Sequence, residues 1–146
     1  MDLATLPVSR LIAHRPPMIL IDRVVSCDAA EITTSVTIRP SSAFLQESGV
    51  PAYVGAEYMA QTVACFNGVR SLNKGAKVRI GYLVSIRRLD LGIDAFPIGC
   101  ELSVSANQLY DDGEMAAFDC RIMRDDLVVA KARLNVYQPP VGDPAE

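Results

Sequence analysis

The alternation of hydrophobic and polar positions predicts two strands near the beginning of the chain. Met18–Ser26 is rich in β-branched residues, and Glu31–Arg39 alternates with the period of two that is typical of a half-buried strand. The link Asp28-Ala-Ala between them suits a hairpin. Before the first strand we expect a short helical turn around Pro7–Ile12, which Pro16 and Pro17 would prevent from continuing.

A long helix is predicted next, because the segment from Pro51 to about Ser71 is apolar on almost every side. Proline suits the first turn of a helix, where its missing N–H is not needed. Small residues recur along the segment at helical spacing, and they would let another backbone approach closely; they are Ala52, Gly55, Ala56, Ala60, Ala64 and Gly68. A helix this apolar must be surrounded rather than docked on one side.

Four more apolar runs follow the helix, and we predict a strand for each. Asp111-Asp112-Gly113 and Asp125-Asp126 are turn signals between the last three. The four runs are Val78–Leu89, Ile98–Leu109, Glu114–Arg124 and Leu127–Tyr137. An antiparallel sheet curled around the helix would bury it, which predicts a single α+β domain over residues 1–138 and a flexible tail over 139–146. Such a sheet leaves edge strands that favour pairing into a dimer.

Composition argues against several classes of protein. The chain has 146 residues, half of them hydrophobic, and a net charge of −3 with scattered basic residues, so nucleic acid is not an expected partner. No apolar run reaches the roughly 18 residues of a membrane span, and the first residues lack the features of a signal peptide, so we predict a cytoplasmic protein. Four widely spaced cysteines and one histidine argue against a metal site, and no cofactor is expected.

Two residues are candidates for acid–base chemistry. Glu57 places a carboxylate inside the apolar helix, where a charge is costly unless it has a partner or a function. His14 is the only histidine of the chain. Each also has a structural interpretation, since the carboxylate could pair with an arginine or with capping amides, and the histidine could bond the turn at Pro16–Pro17. The residues themselves leave these alternatives open.

Two segments resemble the 3-hydroxyacyl-[acyl-carrier-protein] dehydratases. His14-Arg-Pro-Pro-Met-Ile-Leu-Ile-Asp22-Arg-Val is similar to the N-terminal pattern of that family, and Glu57-Tyr-Met-Ala-Gln61 is similar to its helix pattern Glu-Ala-Met-Ala-Gln, with Tyr58 in place of alanine. The resemblance covers the first half of the chain. It implies a hotdog fold, in which a curved antiparallel sheet wraps a long central helix, and a role in fatty-acid-like or aryl polyene synthesis.

The reaction that the resemblance implies is dehydration of a 3-hydroxyacyl thioester, on acyl carrier protein or coenzyme A, to a trans-2-enoyl thioester. In the family a histidine of a His-Phe-Pro-Gly loop is the base, and the helix acid handles the hydroxyl. Here the loop between Ser41 and Pro51 has no histidine, and Ala43 stands in its place. We therefore expect either that His14 is the base or that it assists Glu57 as the only acid–base residue.

The resemblance also suggests substrate-binding residues. Gln61 lies one helical turn after Glu57 and would orient its carboxylate or meet a dimer partner. Gly49, with the amides at the start of the helix, would bind the thioester oxygen or would only form a turn. Tyr53 and Tyr58 flank Glu57, and either one of them would line the pocket or both would only pack. Basic residues after the helix would meet an acidic carrier protein or remain solvated; they are Arg70, Lys74, Lys77 and Arg79, with Arg87 and Arg88 as a second group.

Three functions therefore remain open. The first is a dehydratase that is a homodimer or a heterodimer with another hotdog protein, with higher oligomers also allowed. The second is a non-catalytic subunit that pairs with an active dehydratase, which the missing loop histidine favours. The third, ranked last, is an acyl thioesterase, because related folds hydrolyse thioesters with a helix carboxylate and no histidine.

Overall fold

The computed structural model describes residues 2–3, 5–78 and 80–139. Within those ranges a helix, α1 (Gly55–Asn73), lies against an antiparallel sheet, which confirms the predicted α+β architecture. The strands are β1 (Arg23–Cys27), β2 (Glu31–Thr37), β3 (Val50–Pro51), β4 (Tyr82–Leu91), β5 (Ala95–Phe96), β6 (Glu101–Asp111), β7 (Met115–Arg124) and β8 (Leu127–Tyr137). The larger sheet has the order β1-β2-β6-β7-β8-β4, and β3 pairs with β5. Short 3₁₀ turns cover Val8–Arg10 and Ala52–Val54.

Helix α1 is buried on most of its surface, as its sequence predicts. Phe66 packs edge-on against Phe118 of β7, with ring centroids 5.5 Å apart, and Tyr58 packs against Phe96 of β5 at 5.9 Å. A polar contact fixes the helix on the sheet, because Thr62 donates to the Tyr58 carbonyl and its oxygen lies 2.8 Å from the Thr34 hydroxyl of β2. The sheet therefore surrounds the helix through a mainly apolar interface.

The N-terminal segment, residues 11–20, contacts the side of α1 that carries Glu57, Gln61 and Gly68. Residues with this spacing lie on one face of a helix. At one end of the segment the Leu11 main chain packs on Gly68, where an added Cβ would lie 2.2 Å from the Leu11 carbonyl oxygen. Gly68, near the C-terminal end of this face, thus admits a backbone, as the sequence predicts.

The predicted strand over Met18–Ser26 begins later than expected, at Arg23. The main chain at Met18 and Leu20 bonds the side chain of Gln61 on the helix rather than a neighbouring strand. A side chain has therefore replaced the strand partner, and apolar composition could not reveal that exchange. The short β3–β5 pair was not predicted, whereas β8 has the predicted bounds.

Strand β4 is one edge of the sheet in the part of the chain that the structure describes. It pairs with β8 on one side, and the sheet order ends at β4. Its large apolar side chains are nevertheless exposed; they are Tyr82, Leu83, Val84, Ile86, Leu89 and Leu91. A long apolar edge of this kind is a site for pairing with another chain.

A glycine-to-alanine change at Gly68 tests the backbone contact on the helix. We expect Gly68→Ala to lower the free energy of unfolding by about 3 kcal/mol, since main-chain atoms of Leu11 must move to admit the Cβ. Gly75→Ala is the control, because Gly75 has a positive φ of +68° and no neighbour within 4 Å of the added Cβ. It should cost only about 1 kcal/mol of backbone strain. Urea unfolding measures both, and an equal loss in the two variants would contradict the close approach.

The four cysteines should differ sharply in reactivity. Burial raises the pKa of Cys65 and of Cys120 to about 12, so neither forms appreciable thiolate at pH 8. Cys27 is half-buried, and burial followed by the neighbouring Asp28 raises its pKa as well. We expect a disulfide reagent to label Cys27 first and slowly, with a rate that rises with pH, and the other thiols only after unfolding. Rapid native labelling in Cys27→Ser would contradict this order.

Candidate active site

Glu57 and His14 meet in the structure. His14 Nε2 lies 3.4 Å from Glu57 Oε1, although 43 positions separate the two residues in the sequence. Glu57 stands in the first turn of α1, and its side chain is 41 % exposed, so it is not the buried carboxylate that the apolar helix suggested. His14 is 37 % exposed. The pair therefore faces solvent at the edge of the helix, where a substrate can reach both groups.

Arg15, the residue after His14 in the His-Arg-Pro-Pro motif, holds the loop that carries His14. Arg15 Nη1 donates to the carbonyl oxygens of Ser9, Ile12 and His14 at 3.3, 3.1 and 2.8 Å. Three carbonyls on one guanidinium fold the main chain tightly around residue 14. Arg15 thus shapes the loop, a function that the motif carried but that sequence reasoning did not assign.

Gln61 joins the two halves of the site from inside the protein. Its side chain is fully buried. Nε2 donates to the Met18 carbonyl at 2.7 Å and to Glu57 Oε1 at 3.3 Å, while Oε1 accepts from the Leu20 N–H at 2.9 Å. The predicted bond to the Glu57 carboxylate is therefore present. A buried amide with both its donor and acceptor engaged is not a free contact for substrate.

One ring nitrogen of His14 lacks a partner. Nδ1 is buried and makes no hydrogen bond with any described residue, whereas Nε2 faces the Glu57 carboxylate. The nitrogen that carries the proton is set by the bond that the other one makes. Because a buried N–H without an acceptor is costly, this environment favours the tautomer with the proton on Nε2.

The other predicted binding residues lie in different surroundings. Gly49 has a φ of +118°, and a Cβ there would lie 2.2 Å from the Phe96 carbonyl oxygen, so close packing on β5 requires glycine. Its N–H donates to the Gln46 carbonyl at 3.1 Å and is engaged.

Tyr58 is in the core, where burial raises its pKa to about 12. Tyr53 is 63 % exposed and precedes Glu57 by four positions.

Only some of the basic residues after the helix face solvent, where they could meet a carrier protein. Arg70 lies 5.5 Å above the Phe66 ring and donates to Asp111 at 3.2 Å, which turns it back onto the protein. Lys74 and Lys77 are exposed, and Arg79 lies outside the described residues. Among the described residues no three His, Cys, Asp or Glu side chains are grouped so that they could hold a metal ion.

A groove of about 790 Å³ lies away from the pair, on the outer face of the sheet beside Asn107, Asp119 and Arg133. A second, of about 550 Å³, lies beside Val84 and Tyr110. Neither includes His14 or Glu57.

In the part of the chain that the structure describes, no helix has the length and hydropathy of a membrane span.

Solved structures identify the class of protein that this fold defines. One chain of the dehydratase heterocomplex ApeI:P from Xenorhabdus doucetiae is 28 % identical, with 93 % of each chain covered and a TM-score of 0.88. The E. coli PaaI protein from the phenylacetic acid degradation operon is 14 % identical, with 78 % of this chain and 80 % of that chain covered and a TM-score of 0.63. These likenesses confirm the predicted hotdog fold, the second showing the fold alone.

A hypothetical thioesterase from Streptococcus pneumoniae, solved with coenzyme A, also shares the fold. It is 11 % identical, with 80 % of this chain and 87 % of that chain covered and a TM-score of 0.59. No protein with a curated description matches the chain. The ApeP-like family, described as ApeP dehydratase, matches residues 6–146. The chain therefore belongs to the ApeP-like dehydratase family.

Proposed function

We propose that the protein dehydrates a 3-hydroxyacyl thioester, carried by an acyl carrier protein, to a trans-2-enoyl thioester, with Glu57 as the acid–base residue and His14 as its assistant. The observation that carries this proposal is the 3.4 Å contact between His14 Nε2 and Glu57 Oε1. It brings a carboxylate and an imidazole together in a chain that lacks the loop histidine. Membership of the ApeP-like dehydratase family supports the reaction class.

The surroundings of His14 favour the second of the two predicted roles. A histidine that removes a proton with Nε2 must carry its own proton on Nδ1, and Nδ1 finds no acceptor among the described residues. With the proton on Nε2, the His14 N–H faces Glu57 Oε1, which accepts from Gln61. Both groups approach the same carboxylate oxygen, which leaves the other oxygen free to act as base.

The proposed reaction balances with Glu57 alone. The Glu57 carboxylate removes the C2 proton next to the thioester carbonyl, which breaks the C2–H bond. The electron pair forms the C2=C3 double bond, and the C3–O bond breaks. Glu57 then gives the same proton to the departing hydroxyl, which leaves as water and restores the carboxylate. Tyr53, exposed near Glu57, and the half-exposed Met18, which bonds Gln61 through its carbonyl, offer apolar surface for the acyl chain.

Substitutions at the pair test the proposed chemistry. We expect Glu57→Gln to lower kcat for a 3-hydroxyacyl carrier-protein substrate about 10³-fold, since a positioned acid–base group typically contributes 10²–10⁴-fold. His14→Gln should lower it about 30-fold, because the donor to the carboxylate changes while the base remains. Glu47→Gln, in the exposed loop before the helix, is the control and should leave turnover unchanged. Enoyl product is followed by its absorbance.

The same assay distinguishes the other functions. Full turnover by Glu57→Gln would contradict the proposed chemistry. Release of a free acid instead of water would identify a thioesterase. If the protein alone gave no product while its complex with a hotdog partner did, and if Glu57→Gln in this chain left the activity of the complex unchanged, the chain would be the non-catalytic subunit that Ala43 suggests.

We further propose that the functional form pairs with another hotdog subunit through β4. The exposed apolar side chains of this strand and its position at the sheet edge support the proposal. The likeness to a chain of the ApeI:P heterocomplex favours a partner of a different sequence over a second copy. Such a subunit would also cover the surface at His14 and Glu57, whose side chains are 37 % and 41 % exposed.

A lysine on β4 tests the pairing. Val84 is 57 % exposed on β4, and Leu127 is 71 % exposed at the start of β8. We expect Val84→Lys to abolish capture of an untagged copy or of the Xenorhabdus ApeI subunit in co-expression, because it places a charge at an apolar edge. The control Leu127→Lys should retain it. Capture that survives Val84→Lys would exclude β4 as the interface.

A further inference from the structure

The position of His14 depends on contacts made by its neighbours in the sequence. Three residues before it, Leu11 packs its main chain on Gly68 of α1. Four residues after it, the Met18 carbonyl accepts from Gln61 Nε2 at 2.7 Å, and the Leu20 N–H donates to Gln61 Oε1 at 2.9 Å. His14 thus lies on a span that is fixed to the helix at both ends.

Gln61 differs from Gly68 in that it also touches the catalytic carboxylate. Its Nε2 donates to Glu57 Oε1 at 3.3 Å from the next turn of the same helix. One amide nitrogen therefore bonds the segment that carries His14 and the carboxylate that His14 faces. The amide is fully buried. Its removal would therefore leave the Met18 carbonyl and the Leu20 N–H without a hydrogen-bond partner, which is costly.

We propose that Gln61 is a positioning residue: its buried amide, held between Met18, Leu20 and Glu57, sets the separation of His14 and Glu57. It does not bind substrate, because both ends of its amide are engaged within the protein. The proposal rests on the proposed roles of Glu57 and His14 only for its catalytic consequence. The proposed effect of Gln61 on the geometry of the pair does not depend on those roles and is tested separately.

The single histidine of the chain makes the geometry measurable without an assay. The imidazole signals in an NMR spectrum belong to His14 alone once any affinity tag is removed. At one fixed pH, Glu57→Gln is introduced into the wild-type protein and into proteins carrying Gln61→Leu or Gln61→Glu. Both Gln61 variants remove the donor to Met18 and Glu57, and Gln61→Glu keeps the size of the side chain and an acceptor for Leu20.

Thr62→Val supplies the matched control. Thr62 is the neighbouring residue, is also fully buried, and loses its bonds to Tyr58 and Thr34 in the variant, so it removes comparable hydrogen bonding without touching the site. We expect Glu57→Gln to move the His14 ring signals equally in the wild-type and Thr62→Val proteins. In the two Gln61 backgrounds the movement should fall to less than half.

The kinetic effect should be confined to kcat. With the separation of the pair disturbed, kcat should fall about tenfold to a hundredfold, since a misplacement of about 1 Å can cost 10²-fold, while KM changes less than twofold. An undiminished response of the His14 signals to Glu57→Gln in folded Gln61→Glu would overturn the positioning role. Full turnover in Glu57→Gln, with the loss of the NMR response in the Gln61 variants, would instead overturn the proposed function and leave the positioning role intact.

Discussion

The arrangement of the site depends on how closely the N-terminal segment lies on helix α1. Main-chain atoms can pack directly on a helix only where the helix offers no side chain, as at Gly68, or a side chain that bonds them, as Gln61 does. These two residues lie on the face that begins with Glu57. His14 reaches the carboxylate because the chain on either side of it is held by that face. The chemistry at the surface therefore follows from packing beneath it.

Much of this architecture could be predicted because it follows from periodicity. The all-round apolar character of the helix required a surrounding sheet, and the small residues at helical spacing anticipated a close backbone approach. The resemblance suggested that His14 and Glu57 act together, but periodicity could not show that they meet, since their contact spans 43 positions. The predicted strand does not begin at Met18 for the same reason, because the main chain there bonds a buried glutamine instead of a strand partner. Single side chains that bond distant main chain leave no periodic signal.

The missing loop histidine changes the chemistry that this fold can perform. The resemblance implies that Ala43 stands where the related dehydratases place that base, and Gly49 in the same loop serves the packing on β5. The groups that we propose for acid–base chemistry are a carboxylate on the helix and an imidazole from the N-terminal segment. The proposed pairing with a second hotdog subunit would cover the apolar edge at β4.

The most direct test of the account is the fate of the C2 proton in heavy water. The complex is incubated with a 3-hydroxyacyl carrier-protein thioester, and incorporation of deuterium at C2 is followed by mass spectrometry. The account predicts that Glu57→Gln abolishes the exchange, whereas His14→Gln only slows it, because Glu57 removes the proton and His14 holds the carboxylate in place. Exchange that persists in Glu57→Gln and is lost in His14→Gln would contradict it and make His14 the base.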